Sequence, residues 1–136
     1  MGILDRLFKS DSEGTKEESP KGLPWEMLES IEQFHNVMAN SSKKPKVIFK
    51  HSTRCGISRM VLKNFEMGYT LQNGVAGFYL LDLLNNREVS NEIASKLNVS
   101  HQSPQIIILR DEQVLHTESH HGIDIHKVEE LINNNL

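Results

Sequence analysis

Cys55 is the single cysteine among 136 residues, and its neighbours decide what it can do. It lies in His51-Ser52-Thr53-Arg54-Cys55-Gly56-Ile57-Ser58-Arg59. The thiolate is the nucleophile of disulfide exchange, and nearby cations or helix-terminal amides favour that form. Lys50, His51, Arg54 and Arg59 make the locality cationic. A helix starting just after Cys55 would aim its first N–H groups and its positive end at the sulfur. The Ser58 hydroxyl stands one turn on, placed to hydrogen-bond a thiolate. An inert core cysteine is the bland alternative, and polar residues on both sides argue against it. One thiol excludes an intrachain disulfide and a zinc site built from several cysteines of this chain. In a Cys-x-x-Cys pair the second thiol resolves a mixed disulfide internally. Ser58 holds that place here and cannot. The expected chemistry is therefore monothiol: Cys55 takes over a small thiol, and an external thiol releases it.

A second signal is Ser103-Pro104, immediately before the apolar run Gln105-Ile106-Ile107-Ile108-Leu109. Proline is tolerated at a strand's start. Beside a thiol in a thioredoxin-like fold it would be cis, and the backbone before it would pair with an extended substrate like an added strand. The histidines His116, His120, His121 and His126 lack a cysteine or clear carboxylate partner among them, so no metal site is expected. His120 or His121 is expected to line the approach to Cys55, and His51 and His101 to flank it. Asp82 ends a strand, where a buried carboxylate would suit proton transfer. Met27, Met38, Met60 and Met67 read as core filler.

The elements that position these residues follow from periodicity. Residues 9–22 carry no large apolar side chain, which predicts a flexible N-terminal tail over 1–22. Ile3, Leu4, Leu7 and Phe8 within it fall at helical spacing. The folded domain is expected over 23–136, with Trp25 packing as an anchor. A helix is expected over 27–40, a strand over 46–51, and a helix from just after Cys55 to about Met67, ended by Gly68. A strand over 75–81, a third helix capped by Ser90, a hairpin over 105–117 and a final helix after Gly122 complete the order. Strand–helix–strand predicts parallel pairing with a right-handed crossover. The predicted class is α/β: a small mixed central sheet with helices on both faces, which is the thioredoxin-like arrangement.

At the level of motifs, His51-Ser52-Thr53-Arg54-Cys55-Gly56-Ile57-Ser58-Arg59-Met60, Leu23-Pro24-Trp25, His101-Gln102-Ser103-Pro104-Gln105 and Ser119-His120-His121-Gly122-Ile123 together resemble the monothiol bacilliredoxins. The resemblance runs over about residues 23–125. It implies removal of bacillithiol from S-bacillithiolated proteins, with Cys55 as nucleophile. On this reading Ser58 and the 56–58 amides, from Gly56 and Ile57 on, stabilise the thiolate. Arg54 and His51 add positive charge, and Ser103-Pro104 docks the substrate backbone. Many relatives carry proline after the cysteine. Gly56 keeps the N–H that proline would remove and loosens the first turn. Bacillithiol, or a similar small thiol, enters as co-substrate, with no bound cofactor.

Two other readings compete. Cys55-Gly56-Ile57-Ser58 is similar to the Cys-Gly-Phe-Ser of iron–sulfur monothiol glutaredoxins, in which paired chains hold a [2Fe–2S] cluster. Ile57 replaces the phenylalanine, and a brown preparation would favour that reading. His51…Cys55-Gly56-Ile57-Ser58-Arg59 also resembles glutaredoxin-linked arsenate reductases, which have arginine where Ser103 stands before Pro104. The partners expected are S-thiolated client proteins and a low-molecular-weight thiol. With 15 Lys and Arg against 18 Asp and Glu, the net charge is -3, which argues against nucleic acid. No apolar run approaches about 20 residues, so no membrane span is expected. The N-terminus lacks a basic signal-peptide region. A cytoplasmic monomer is the expectation, since a free thiol stays reduced there.

Overall fold

The computed structural model describes residues 23–136. The tail expected over 1–22, with its helical pattern at Ile3, Leu4, Leu7 and Phe8, lies outside the described residues. The elements are β1 (Glu26–Met27), α1 (Ile31–Asn40), β2 (Lys46–His51), α2 (Gly56–Met67), β3 (Gly77–Asp82), α3 (Arg87–Leu97), β4 (Gln105–Arg110), β5 (Gln113–Ser119), a 3-10 turn (His120–Gly122) and α4 (Ile125–Asn133). They form the expected α/β arrangement around a five-stranded sheet of order β1-β3-β2-β4-β5. β2 pairs with β3 in parallel and with β4 antiparallel, so it sits in the middle. All six of its residues are buried.

Because successive strand residues face opposite sides, β2 feeds two cores. Val47 and Phe49 join Val61 and Phe65 of α2 and Val128 and Ile132 of α4. Ile48 joins Phe34 and Val37 of α1 and Val89 and Ile93 of α3. Trp25 closes the first core. Its ring stacks on Phe65 at 6.1 Å and meets Phe49 and Phe78 edge-on at 5.9 and 6.0 Å. Its Nε1–H donates to Glu66 Oε2 at 2.7 Å, which satisfies the polar end of a large apolar ring.

Two helix starts differ from expectation. The first helix begins at Ile31 rather than at residue 27, because Ser30 caps it: the Ser30 hydroxyl accepts from Gln33 N–H at 3.0 Å. The residues before it are held by β3 instead, with Leu28 N–H donating to Leu80 O at 2.9 Å. The third helix starts at Arg87, with Asn86 at its N-cap, so Ser90 is not the cap. Ser90 lies a turn further in, 1% exposed. The hairpin matches its reading: Asp111 (φ 53) and Glu112 (φ 62) both take the left-handed turn conformation of a two-residue loop.

The topology gathers four chain segments at one sheet edge. β2 and β3 end there, β4 begins there, and β5 ends there, with Gln105 opposite Ser119. The segments are the start of α2, the start of α3, the loop before β4, and the 3-10 turn.

Candidate active site

Cys55 occupies the N-cap of α2 with extended backbone (φ -108, ψ 121). Its N–H donates to Ser52 O at 3.2 Å, and its carbonyl accepts the first helical bond from Arg59 N–H at 3.1 Å. The cysteine is half-buried. The Cys55 side chain makes no cap bond, and the first turn holds no acidic residue. The first-turn amides are the orphan donors of every helix start, and they concentrate positive potential beside the sulfur. Arg59 folds back over this turn: Nη1 donates to Thr53 O at 3.1 Å. A Cβ placed on Gly56 would lie 3.8 Å from Arg59 Nη2, so the guanidinium covers Gly56. Arg54 is exposed in the loop before the cysteine. Ile57 and Met60 stand 48% and 50% exposed on the outer face of α2; with Met27 at 43% and Met67 at 75%, three of the four methionines read as core filler are surface, and only Met38 is buried.

The structure turns Ser58 inward. It is fully buried, and its Oγ lies 2.8 Å from His51 Nδ1 and accepts from Ser52 N–H at 3.1 Å. The hydroxyl is thus engaged with the end of β2 and the loop leading to Cys55. Burial holds the His51 imidazole below its ordinary value; Asp82 opposes that shift and Arg59 adds to it. A neutral ring lets the Ser58 hydroxyl donate to Nδ1 while it accepts from Ser52 N–H, which puts the ring proton on Nε2.

The Ser103–Pro104 peptide bond is cis. Pro104 is buried, and its carbonyl accepts from His120 N–H at 3.0 Å, tying the 3-10 turn to this loop. His120 adopts φ 55 there, the left-handed region that few non-glycine residues enter. The turn packs on α2, and both His120 and His121 are exposed at it. The Glu118 side chain packs against Gly122, where a Cβ would lie 2.7 Å from its Cδ. The Ser103 hydroxyl oxygen is buried without a hydrogen-bond partner among the described residues. Ser100 and Gln102 face a groove of about 340 Å³ against β5, while His101 between them turns toward β2.

Lys50 is not simply one of the cationic residues around the thiol: strand alternation puts it on the face opposite His51. It is wholly buried, with its Nζ 3.4 Å from His101 Nδ1. Burial lowers its ammonium to about 8. The signal available was a lysine within an otherwise buried strand run. Asp82 is half-buried and accepts from Leu84 N–H at 3.2 Å and Asn85 Nδ2 at 2.6 Å, so it closes the turn into α3.

A cysteine at a helix N-cap, with a cis-proline loop at the same end of a mixed sheet, defines a thiol redox protein of thioredoxin fold. Solved structures agree. The chain is similar to an oxidoreductase with a thioredoxin fold (28% identity, 78% of this chain and 91% of that chain, TM-score 0.67). It is also similar to thioredoxins from Malassezia sympodialis (22%, 90% and 98%, TM-score 0.65) and Trypanosoma brucei brucei (27%, 79% and 89%, TM-score 0.60). Residues 26–128 match the family model of the monothiol bacilliredoxin BrxC, and the chain belongs to that family. No helix among the described residues is long and apolar enough to cross a membrane.

Proposed function

We propose that this protein removes a small thiol, bacillithiol or one like it, from mixed disulfides on client proteins. The Cys55 thiolate attacks the small thiol's sulfur. A Cys55–small-thiol disulfide forms, the client–sulfur bond breaks, and the client sulfur leaves with the electron pair as its own thiolate. A second small-thiol thiolate then attacks the adduct, forms the small-molecule disulfide and returns Cys55 as thiolate. Ser58 replaces the resolving thiol, so release depends on that external reductant.

The observation that supports this reading is the cysteine's seat: half-buried, at a helix N-cap, with Arg54 and Arg59 around it and no acid in the first turn. In its role as docking loop, Ser103-Pro104 offers backbone groups and one unpartnered hydroxyl to an extended client segment. Ser58 and His51 hold the Cys55 loop, and Gly56 and Ile57 present amides to the sulfur. We read the protein as acting as a cytoplasmic monomer, without a bound cofactor, on S-thiolated clients.

The test is release of bacillithiol from a purified S-bacillithiolated client, followed by mass spectrometry. Wild-type protein releases it and Cys55→Ala does not. Equal release by Cys55→Ala overturns the assignment. The mass of the Cys55 adduct after oxidant stress in the native cell identifies the thiol.

A further inference from the structure

The Ser58 hydroxyl stands between the nucleophile's turn and a buried imidazole. Cys55 is the N-cap of α2, and Ser58, wholly buried, is its third helical residue. Ser58 Oγ lies 2.8 Å from His51 Nδ1 and accepts from Ser52 N–H at 3.1 Å. The Ser52 carbonyl in turn accepts from Cys55 N–H at 3.2 Å. Ser52 is therefore bonded to both Ser58 and Cys55. An N-cap side chain points at the amides of the second and third helical residues, here Ile57 and Ser58. Side chains three residues apart share a helix face, about 5–6 Å apart at Cβ. The Cys55 sulfur makes no cap bond, so it is a free acceptor on the Ser58 side of the turn.

A serine hydroxyl has one proton to donate and two positions at which to accept. With His51 neutral, Ser58 accepts from Ser52 N–H and donates to Nδ1. With His51 protonated, Nδ1–H donates to Oγ instead. Both accepting positions are then filled, and the hydroxyl proton needs a new acceptor. Among the described residues Ser58 Oγ has only the His51 and Ser52 partners. The acceptor left in that turn is the sulfur, and a thiolate gains most from it.

The charges around His51 leave the same opening. Burial acts against the imidazolium, Asp82 favours it, Arg59 opposes it and Glu66 favours it. Asp82, the register partner of His51 on β3, gives its carboxylate to Leu84 N–H and Asn85. Glu66 accepts from the Trp25 ring. Ser58 is the one hydrogen-bond partner of the ring among the described residues.

We propose that Ser58 relays a proton between Cys55 and His51, so that the thiolate and the His51 imidazolium form together. The proposal rests on the thiol-exchange reading and deepens it by naming where the thiol proton goes. The thiol proton passes to Oγ while the Ser58 proton passes to Nδ1. Ser58 remains a neutral hydroxyl and now donates to the sulfur. When the sulfur enters a mixed disulfide its negative charge is gone, and His51 gives up the extra proton. His51 acts through Ser58 and is a positioning residue.

Cys55 is the single cysteine, so alkylation of the full chain by iodoacetamide reads this sulfur alone. Rates are followed from acid to alkaline pH and divided by each variant's own alkaline plateau. In wild type the acid limb should be stretched, because the imidazolium favours the thiolate. His51→Asn keeps an amide oxygen for Ser58 but takes no proton, and Ser58→Ala keeps the imidazole but removes the relay. Each should lower the relative rate on the acid limb about tenfold, the scale of one hydrogen bond to a charged group. An acid limb that neither variant changes overturns the proposal. So does one that only His51→Asn changes, since charge acting through space needs no hydroxyl. Absolute rates lowered equally at every pH mark a structural role and overturn it too. In nitrogen NMR, capping Cys55 with iodoacetamide should lower the His51 titration midpoint in wild type and move it less in Ser58→Ala; no movement in wild type overturns the relay. If both titrations behave as expected and an S-bacillithiolated client still keeps its bacillithiol, the exchange reading fails and the relay stands. Normal release with independent titrations sinks the relay alone.

Discussion

His51 and Lys50 are neighbours at the end of β2, yet they serve two different sites. Both are buried basic groups; His51 is met directly by a serine hydroxyl, whereas Lys50 meets a histidine that a serine hydroxyl also holds. His51 is bonded to Ser58 of α2 on the Cys55 side. Lys50 reaches His101, which Ser90 of α3 also holds, on the other side. The difference is charge compensation. His51 feels the carboxylates of Asp82 and Glu66, and its hydrogen bonds close within the chain. Lys50 has burial and no acid. One strand end thus carries a polar network that holds the nucleophile's loop and a buried ammonium whose hydrogen-bond partner is the His101 imidazole. Alternation of side chains along a strand is enough to separate them.

The comparison can be broken at several points. The largest effect belongs to the sulfur between the two sites: Cys55→Ala should reduce small-thiol release to the uncatalysed rate, read by mass spectrometry. Next, Ser58→Ala strips the partner from His51 Nδ1 and Ser52 N–H. It should lower stability by about 1–3 kcal/mol in urea unfolding and slow release, since buried groups lose their partner. Lys50→Met should do the reverse to stability. Replacing an unpaired buried charge by an apolar chain of similar length is neutral or stabilising, by up to about 2 kcal/mol. Opposite signs for these two variants sharpen the contrast; a strongly destabilised Lys50→Met abolishes it.

The pH dependence separates the sites again. Lys50 titrates at about 8 in the folded chain against 10.5 when unfolded. Across that window the unfolded chain binds the extra proton, so stability from this residue rises with pH. Lys50→Met should flatten the rise in urea midpoints. His51 and His101 are both held below 6.5. As pH falls below 6.5, the unfolded chain takes up protons that these two rings resist, and stability drops. The smallest effect is expected at Gly56. A Cβ there meets only Arg59 Nη2 at 3.8 Å, so Gly56→Ala should raise stability by about 0.4–1 kcal/mol by restricting the unfolded chain, measured by thermal unfolding.

Much of the fold was legible because its signals are local. The six-residue strand at 46–51 and the Ile106–Leu109 run are dense in β-branched and apolar residues, as a centre strand needs. Gly68 and the Asp111-Glu112 turn ended their elements where they were expected. The misplaced starts at Ile31 and Arg87 show the limit. Serines at positions 30 and 90 look alike in sequence, but only Ser30 finds a free amide to cap, while Ser90 is drawn a turn inward with Val89. The orientation of Ser58 was likewise illegible, since a side chain one turn into a helix can face the thiol or the strand.

By itself the sequence determined that there is one thiol and no resolving partner, that this thiol follows a strand and begins a helix, and that basic residues crowd around it. Those are facts of composition, order and period, and no packing alters them. Tertiary structure decided which of the crowded groups work together. Folding β2 between β3 and β4 sent His51 to one face and Lys50 to the other. It brought His101, from a segment far along the chain, to the lysine, and the turn at His120 to the proline loop. Which charges find partners depends on distances across the sheet edge, and those exist only once the strands are paired.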